Sequence, residues 1–307
     1  MRRHIGILTN SRVWCLSFLI LLLLGLSISL LACVSPSVDV ATDETPVSAQ
    51  IIENMGSDTL VNLALAWAEA YMRIHPDVRI SVTGGGSGTG VAGLINGTVD
   101  IANASRSMKE EEYSAARDNG IEPQEFVVAR DAIAVVVHPS NPVEGLTLQQ
   151  ISDIYTSKIT NWSEVGGEDR PIVLLSREGN SGTYVYFLEN VIRLGDKESD
   201  LLFSSDTLLM PSSEGISTEV RHNPNAIGYD GLGYVTPDQK TLAVAVGSGG
   251  GYVLPSVESV NDGSYPIARP LYMYTAGEPI GLMRDYLDWI RLDGQRMVLE
   301  LGFVPLQ

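Results

Sequence analysis

Cysteine is almost absent from this chain of 307 residues, which contains only Cys15 and Cys33. Cys15 lies inside an apolar N-terminal run, so removal of that run would leave no pair of thiols to oxidise. The sequence therefore excludes a fold that is held together by disulfide bonds. Roughly 270 residues follow the run, which is enough to bury a core without covalent links, as one large domain or two medium ones.

Histidine is scarce as well. The four histidines are scattered along the chain, at His4, His75, His138 and His222. Zinc sites bring Cys and His ligands together at short, regular spacings, and no such spacing occurs here. We therefore expect neither a structural nor a catalytic metal, and no other cofactor.

Basic residues are outnumbered by acidic ones, with 20 Lys and Arg against 37 Asp and Glu. Three of the basic residues, Arg2, Arg3 and Arg12, lie in the N-terminal segment, which leaves 17 against 37 and a net charge of −20 beyond it. Such a surface repels nucleic acid and anionic lipid headgroups, so neither is an expected partner. It also repels a dissolved anion, so an anion site here needs fixed local donors.

The N-terminal segment has the pattern of a bacterial lipoprotein signal. A charged start is followed by an apolar run from Val13 to Ala32 and by Leu30-Leu31-Ala32-Cys33. This pattern predicts a signal peptide over residues 1–32, lipidation of Cys33, and a flexible polar tether over residues 33–49. The alternative is an uncleaved anchor, because about 20 apolar residues also span a bilayer. Both place the folded part outside the cytoplasm, at the cell membrane.

The stretch from Ser176 to Tyr184 reads Ser-Arg-Glu-Gly-Asn-Ser-Gly-Thr-Tyr. A short apolar run, Pro171–Leu175, precedes it and predicts a strand, and Tyr184–Arg193 predicts a helix. The first N–H groups of a helix lack internal partners and attract an oxyanion, and Arg177 offers a planar fork to two anion oxygens. The pattern predicts an anion site, although an ordinary serine cap beside a surface arginine would look the same.

Two further turns have the same organisation. Gln50–Met55 predicts a strand, Gly56–Thr59 a turn and Leu60–Ile74 a helix. Val78–Val82 predicts another strand, which a glycine-rich stretch, Gly84–Gly90, follows. That stretch also begins a formal dinucleotide-binding fingerprint, but the turn is already filled by earlier glycines and the next strand signal comes too soon, so we do not favour a nucleotide site.

Alternating strand and helix signals predict an α/β fold with mainly parallel sheets. The apolar run Phe126–Val137 is long enough to cross between two lobes, and Thr241–Val246 could be the return crossing. We therefore expect a first lobe over residues 50–130 and 241–307 and a second over 131–240. Ligands bind at the carboxyl ends of strands in such sheets, which is where the polar turns fall.

Four motifs in this order resemble the phosphate-binding proteins of ABC transporters, and the resemblance runs from about residue 50 to the end. They are Gly56–Leu60, Gly86–Gly90, Asp100–Arg106 and Arg177–Thr183. The resemblance implies a two-lobed type II periplasmic-binding-protein fold that closes on inorganic phosphate and delivers it to an ABC transporter permease. It implies no catalysis, and we expect a monomer.

The resemblance also implies the residues that bind phosphate: Thr59, Leu60, Ser87, Arg177, Ser181, Gly182 and Thr183. Further candidates are Ser57, Asp58, Ser105 and Arg106. Many members have an aspartate at the place of Arg106, where it accepts the proton of hydrogen phosphate. Asp58 is the nearest replacement for that acceptor, unless it caps the following helix.

Three alternatives remain open from the sequence. The same fold could bind sulfate, molybdate or tungstate in place of phosphate. A phosphatase could use Ser87 or Ser181 as a nucleophile, although the motifs supply neither a neighbouring base nor metal ligands. A sensor or matrix protein could share the fold without a transporter.

Overall fold

The structure is a computed structural model that describes residues 50–247 and 249–307. The predicted signal peptide, tether and lipidated Cys33 lie outside these residues. Strands and helices alternate through the described part and form two lobes, which confirms the predicted α/β class. In the described residues no helix is long and apolar enough to cross a membrane.

The first lobe begins with three strand-and-helix units. Their bounds are β1 Gln50–Gly56, α1 Asp58–Ile74, β2 Val78–Thr83, α2 Ser87–Ile95, β3 Ile101–Ala104 and α3 Glu110–Asp118. The strand β1 pairs in parallel with β2 and with β3, so the carboxyl ends of all three lie at one edge. The turns that follow these strands carry the polar motifs, and the pairing brings them together.

The strand β4 (Gln124–Val137) leads into the second lobe. The elements of that lobe are β5 Gly145–Thr147, α4 Leu148–Tyr155, a 3-10 turn Trp162–Val165, β6 Val173–Arg177, α5 Gly182–Phe187 with a π-helical turn Leu188–Ile192, β7 Leu208–Met210, α6 Ser213–His222, β8 Ala226–Gly231, a 3-10 turn Leu232–Tyr234, β9 Lys240–Ala245 and α7 Val257–Asn261. Its parallel strands β8, β6 and β7 again bring a polar turn, the one after β6, to the sheet edge.

The chain returns through β10 (Ala268–Thr275) and ends with α8 (Gly281–Arg291) and α9 (Gln295–Glu300). The first half of β4, up to Ala132, pairs with β10, and the second half pairs with β8 and β9. Every antiparallel pair among the described strands involves β4 or β10, the strands that leave and re-enter the first lobe. The sheet is therefore mixed, where the sequence predicted mainly parallel pairing.

The return crossing also differs from the expected one at residue 241. The strand β9 pairs with β5 and with the second half of β4, and Val260 of α7 packs in the core of the second lobe. Both elements thus belong with the second lobe, and β10 carries the return. An apolar run is compatible with a strand of the second lobe and with a returning strand, because hydrophobic periodicity does not determine which sheet a buried strand joins.

Each lobe has its own core. In the first, one face of α1 is buried, with Leu60, Leu63 and Trp67 fully covered, and Trp67 Nε1 donates to Gly294 O at 2.9 Å. In the second, Tyr155, Phe187 and Tyr229 pack together. These cores hold the two sets of turns that face each other between the lobes.

Candidate functional site

Hydroxyl side chains from four turns meet in one buried cluster between the lobes. Thr59, at the start of α1, Ser87, at the start of α2, and Ser105, after β3, come from the first lobe. Ser181 and Thr183 come from the turn between β6 and α5 in the second. All five are at least 97% buried. The predicted polar turns are therefore close together, although the strands that carry them are far apart in sequence.

Contacts within the cluster join the lobes directly. Thr59 Oγ1 lies 2.9 Å from Thr183 Oγ1, and either hydroxyl can donate. Ser105 N donates to Ser87 Oγ at 3.0 Å, and the two serine oxygens are 3.3 Å apart. Gly182 packs against both serines, where any side chain would collide with them. The arrangement supplies several O–H donors within a few ångströms of one another.

The glycine-rich turn before α2 approaches the second lobe through its backbone. Gly88 N donates to Asn180 O at 3.0 Å, and Asn180 Nδ2 donates to Gly85 O at 2.8 Å. Gly86 has φ 92°, a conformation that favours glycine, and a Cβ there would lie 2.7 Å from Asn180 O. The glycines of this turn therefore allow close backbone contact between the lobes.

Arg177 is buried, contrary to the alternative that makes it a surface residue. Only 2% of it is exposed, and its Nη2 forms an ion pair with Asp58 of the first lobe. Nη2 also donates to Pro211 O, and Nη1 to Ser213 Oγ, both at 3.0 Å. Most of the guanidinium donors thus already have acceptors within the protein. Arg177 can donate to two oxygens of an anion only if part of its hydrogen bonding to Asp58 is lost.

Asp58 is the first helical residue of α1 and does not cap the helix through its side chain. One carboxylate oxygen accepts from Arg177, 119 residues away in sequence, and the side chain is 16% exposed. The carboxylate therefore lies at the junction of the lobes, beside Thr59. Sequence alone suggested a cap or a proton acceptor, and the structure adds a third role, that of counter-ion to Arg177.

Arg106 forms an ion pair with Glu112, and no hydrogen bond joins it to the hydroxyl cluster among the described residues. Its Nη1 and Nη2 donate to the two oxygens of Glu112 at 2.7 and 2.6 Å, and it lines an interlobe cavity of about 540 Å³. The guanidinium lowers the pKa of Glu112, although burial opposes the shift. Glu112, in the charged first turn of α3, therefore holds a buried arginine.

Three further predicted residues, Ser181, Leu60 and Ser57, lie at the starts of helices. Ser181 caps α5, since its Oγ accepts from Thr183 N at 3.2 Å, and its own proton stays available. Leu60 N donates to Ser57 O at 3.0 Å, and the Leu60 side chain is fully buried. Ser57 is 2% exposed and precedes α1.

Sequence reasoning missed a second arginine, Arg269 of β10. It pairs with Asp131 of β4 at 3.0 Å, and both side chains are almost completely buried. Its Nη2 also donates to Thr183 Oγ1 at 2.9 Å. A signal existed, because each residue interrupts an apolar strand, and a buried charge needs a partner. The sequence did not show that Arg269 and Asp131 pair with one another.

Asp230 is a third carboxylate near the cluster. It is 1% exposed, its Oδ1 accepts from Gly231 N at 2.9 Å, and Oδ2 has no partner among the described atoms. Burial raises the pKa of Asp230 to about 7, and the charge of Arg177 opposes that shift.

Comparison with known proteins supplies a family. Residues 41–293 match the profile of the PBP superfamily domain. The chain is 33% identical to the phosphate-binding protein PstS of Pseudomonas aeruginosa over 91% of its length and 90% of that protein. It is 32% identical to PstS of Bacillus subtilis, over 82% of this chain and 79% of the other.

Solved structures agree with this comparison. A crystal structure from Clostridium perfringens, described as a phosphate ABC transporter substrate-binding protein with bound phosphate, superposes with a TM-score of 0.75. It is 34% identical and covers 84% of this chain and all of its own. A periplasmic phosphate-binding protein, PfluDING, shares the fold at 16% identity, with a TM-score of 0.70, 84% of this chain and 91% of its own.

Proposed function

This chain belongs to the phosphate-binding proteins of ABC transporters within the PBP superfamily, and on that premise we propose that it captures inorganic phosphate between its lobes for an ABC importer. The observation that carries the proposal is the buried cluster in which donors from both lobes meet. A tetrahedral oxyanion seated there is bound from both sides, so binding favours closure. Members of this family are transport proteins and not enzymes.

The proposed ligand contacts are the hydroxyls or backbone amides of Thr59, Leu60, Ser87, Ser181, Gly182 and Thr183, with Arg177 as the cation. Ser57, Ser105 and Asp58 border the same site. We leave Arg106 out of it, because Glu112 occupies both ends of its guanidinium. Several donors converge on a site that excludes water, as anion recognition requires when the net charge of the protein is negative.

The number of donors is sufficient for tight binding. A hydrogen bond to a charged group contributes about 1.5–3 kcal/mol. About six of them exceed the roughly 8 kcal/mol that corresponds to a micromolar Kd, and the excess offsets the cost of association and closure. The proposal therefore requires no metal ion or other cofactor.

We expect calorimetry on the purified protein, after bound anion has been removed, to show one phosphate per chain with a micromolar or lower Kd. Sulfate should compete weakly, because the carboxylate of Asp58 beside the site repels an anion, and only hydrogen phosphate can offset part of that repulsion by donating its proton in a hydrogen bond. Equal affinity for sulfate, molybdate or tungstate would assign the site to another oxyanion. Hydrolysis of a generic phosphate ester would support the phosphatase alternative instead.

We propose further that the protein acts as a monomer outside the cytoplasm, tethered to the cell membrane through lipid on Cys33. The support is the sequence pattern that ends at this cysteine, followed by a polar tether. A permease in the membrane is the expected partner. A tether of this kind would keep the binding lobes near it.

Replacing Cys33 with serine should release the protein from the membrane fraction and leave phosphate affinity unchanged. One acyl chain anchors only marginally, so stable attachment depends on the several chains that a processed lipoprotein carries. Fractionation and labelling with radioactive palmitate measure both effects. The matched control is Cys15→Ser, which lies in the apolar run and should stay attached and labelled. Retention of the Cys33→Ser protein in the membrane would show that the apolar run is an anchor.

A further inference from the structure

Arg269 reaches the hydroxyl cluster from the strand that connects the two lobes. It belongs to β10, which pairs with β4 at the crossing, where Arg269 lies opposite Asp131. Arg269 is 2% exposed and Asp131 is fully buried. Burial raises the pKa of Asp131, and the charge of Arg269 opposes that shift. The pair thus fixes a cation between the lobes, where the two strands that connect them are paired.

The donors of Arg269 are divided among three groups. Nε and Nη2 donate to Asp131 Oδ2 at 3.3 and 3.0 Å, and Nη1 donates to Ser105 O at 2.8 Å. Nη2 also reaches Thr183 Oγ1 at 2.9 Å and Thr59 Oγ1 at 3.4 Å. The Tyr186 ring of the second lobe lies 5.6 Å from the guanidinium carbon. One side chain therefore contacts ligand-binding threonines of both lobes.

These bonds control the direction of the threonine protons. An arginine donates and cannot accept, so a hydroxyl oxygen that receives its N–H must point its own proton elsewhere. Between Thr59 and Thr183 one proton is used in their mutual bond. An anion oxygen that replaces this bond would receive both protons, and the cation behind them polarises each hydroxyl into a stronger donor.

We propose that Arg269 is a positioning residue of the phosphate site, which orients the hydroxyls of Thr59 and Thr183 toward the ligand and ties closure to the connecting strand. The proposal rests on the proposed function and adds a second cation that acts through the threonines. With Arg269 in this role, this part of the site offers only hydrogen-bond donors. It therefore matches the unprotonated oxygens of the anion. The proton of hydrogen phosphate must then face another part of the site.

The test removes both charges of the pair without leaving either unpaired. In the double variant Asp131→Asn/Arg269→Gln two amides can still hydrogen-bond, and neutral replacement of a buried ion pair is often tolerated by the fold. We expect phosphate affinity to fall at least tenfold by calorimetry, with a melting temperature close to that of the wild type. The matched control is Arg106→Gln/Glu112→Gln, an ion pair of the first lobe between a buried arginine and a half-buried glutamate, which should change affinity less than threefold.

A purely structural pair is distinguished by a double-mutant cycle with Thr183→Val. If Arg269 acts through the Thr183 hydroxyl, the combined variant should bind within about threefold of the weaker parent. Losses that multiply in the combined variant overturn the proposal. If the neutral pair does not fold, Arg269→Lys serves instead, because an ammonium cannot span Asp131 and the threonines at once. We expect it to bind at least fivefold more weakly, and wild-type affinity would overturn the proposal.

Failure of the proposed function is seen separately. It appears as absence of phosphate binding by the wild-type protein, before any variant is compared. If the wild type binds phosphate and the Asp131→Asn/Arg269→Gln variant binds it with unchanged affinity, only the role of Arg269 is contradicted.

Discussion

Replacing Gly182 with alanine should weaken phosphate binding by about two orders of magnitude while the protein still folds. A Cβ at this position would lie 2.6 Å from Ser105 Oγ, 3.0 Å from Ser87 Cβ, and still nearer to Ser87 Oγ. Rotation of the serine hydroxyls cannot relieve the contact with Ser87 Cβ, and both serines are fully buried. The lobes would therefore stop short of closure, since Gly182 and the two serines belong to opposite lobes.

The magnitude follows from the donors that would be separated. Loss of one or two hydrogen bonds to a charged ligand costs about 3 kcal/mol, which corresponds to about 100-fold in Kd. The amide of residue 182 is retained and the position does not have a positive φ, so neither a lost donor nor backbone strain explains the effect. Calorimetry gives the affinity, and small-angle X-ray scattering shows whether phosphate still compacts the protein.

Gly179→Ala is the matched control. Gly179 lies three residues earlier in the same turn, and a Cβ there would meet no atom within 4 Å. It should bind phosphate as the wild type does. Normal affinity in Gly182→Ala would mean that the lobes do not close onto Ser87 when phosphate binds, and the proposed two-sided site would have to be abandoned.

Replacing Arg177 with glutamine should cost at least about 100-fold in phosphate affinity. Truncating one member of a buried charge pair at an interface costs about 2–5 kcal/mol, and much of this comes from the charge left behind. Here the charge left behind is Asp58, a carboxylate beside the anion site. The variant thus loses an attractive cation and gains a repulsive carboxylate, and both effects weaken anion binding.

A second substitution separates these two effects. Adding Asp58→Asn to Arg177→Gln removes the unpaired carboxylate, so we expect it to recover part of the lost affinity but not all of it. Arg177→Lys keeps the positive charge but loses the planar guanidinium. Its phosphate affinity should therefore lie between those of the wild type and of Arg177→Gln. The control is Arg221→Gln in α6, a partly exposed residue that pairs with Glu214. Wild-type affinity in Arg177→Gln would exclude Arg177 from the phosphate site.

Local patterns predicted the elements that carry the site. Apolar spacing predicted α1 as Leu60–Ile74, and the structure begins this helix two residues earlier, at Asp58. The reciprocal cap of Thr147 and Gln150 at the start of α4 is likewise a signal within four residues. The polar turns after β1, β2 and β6 were also recognised, since glycine and hydroxyl residues after an apolar run are local features of the sequence.

What the sequence by itself determined is therefore the set of strand, turn and helix units and the hydroxyl-rich turns that they place at strand ends. Only the tertiary structure decided which charges meet: Arg177 with Asp58, Arg106 with Glu112, and Arg269 with Asp131. It also assigned β9 to the second lobe and the return to β10. The physical reason is that hydrophobic periodicity and turn preferences act between near neighbours. A buried charge in an apolar strand requires a partner, but packing across 119 or 138 residues of chain determines which one it has.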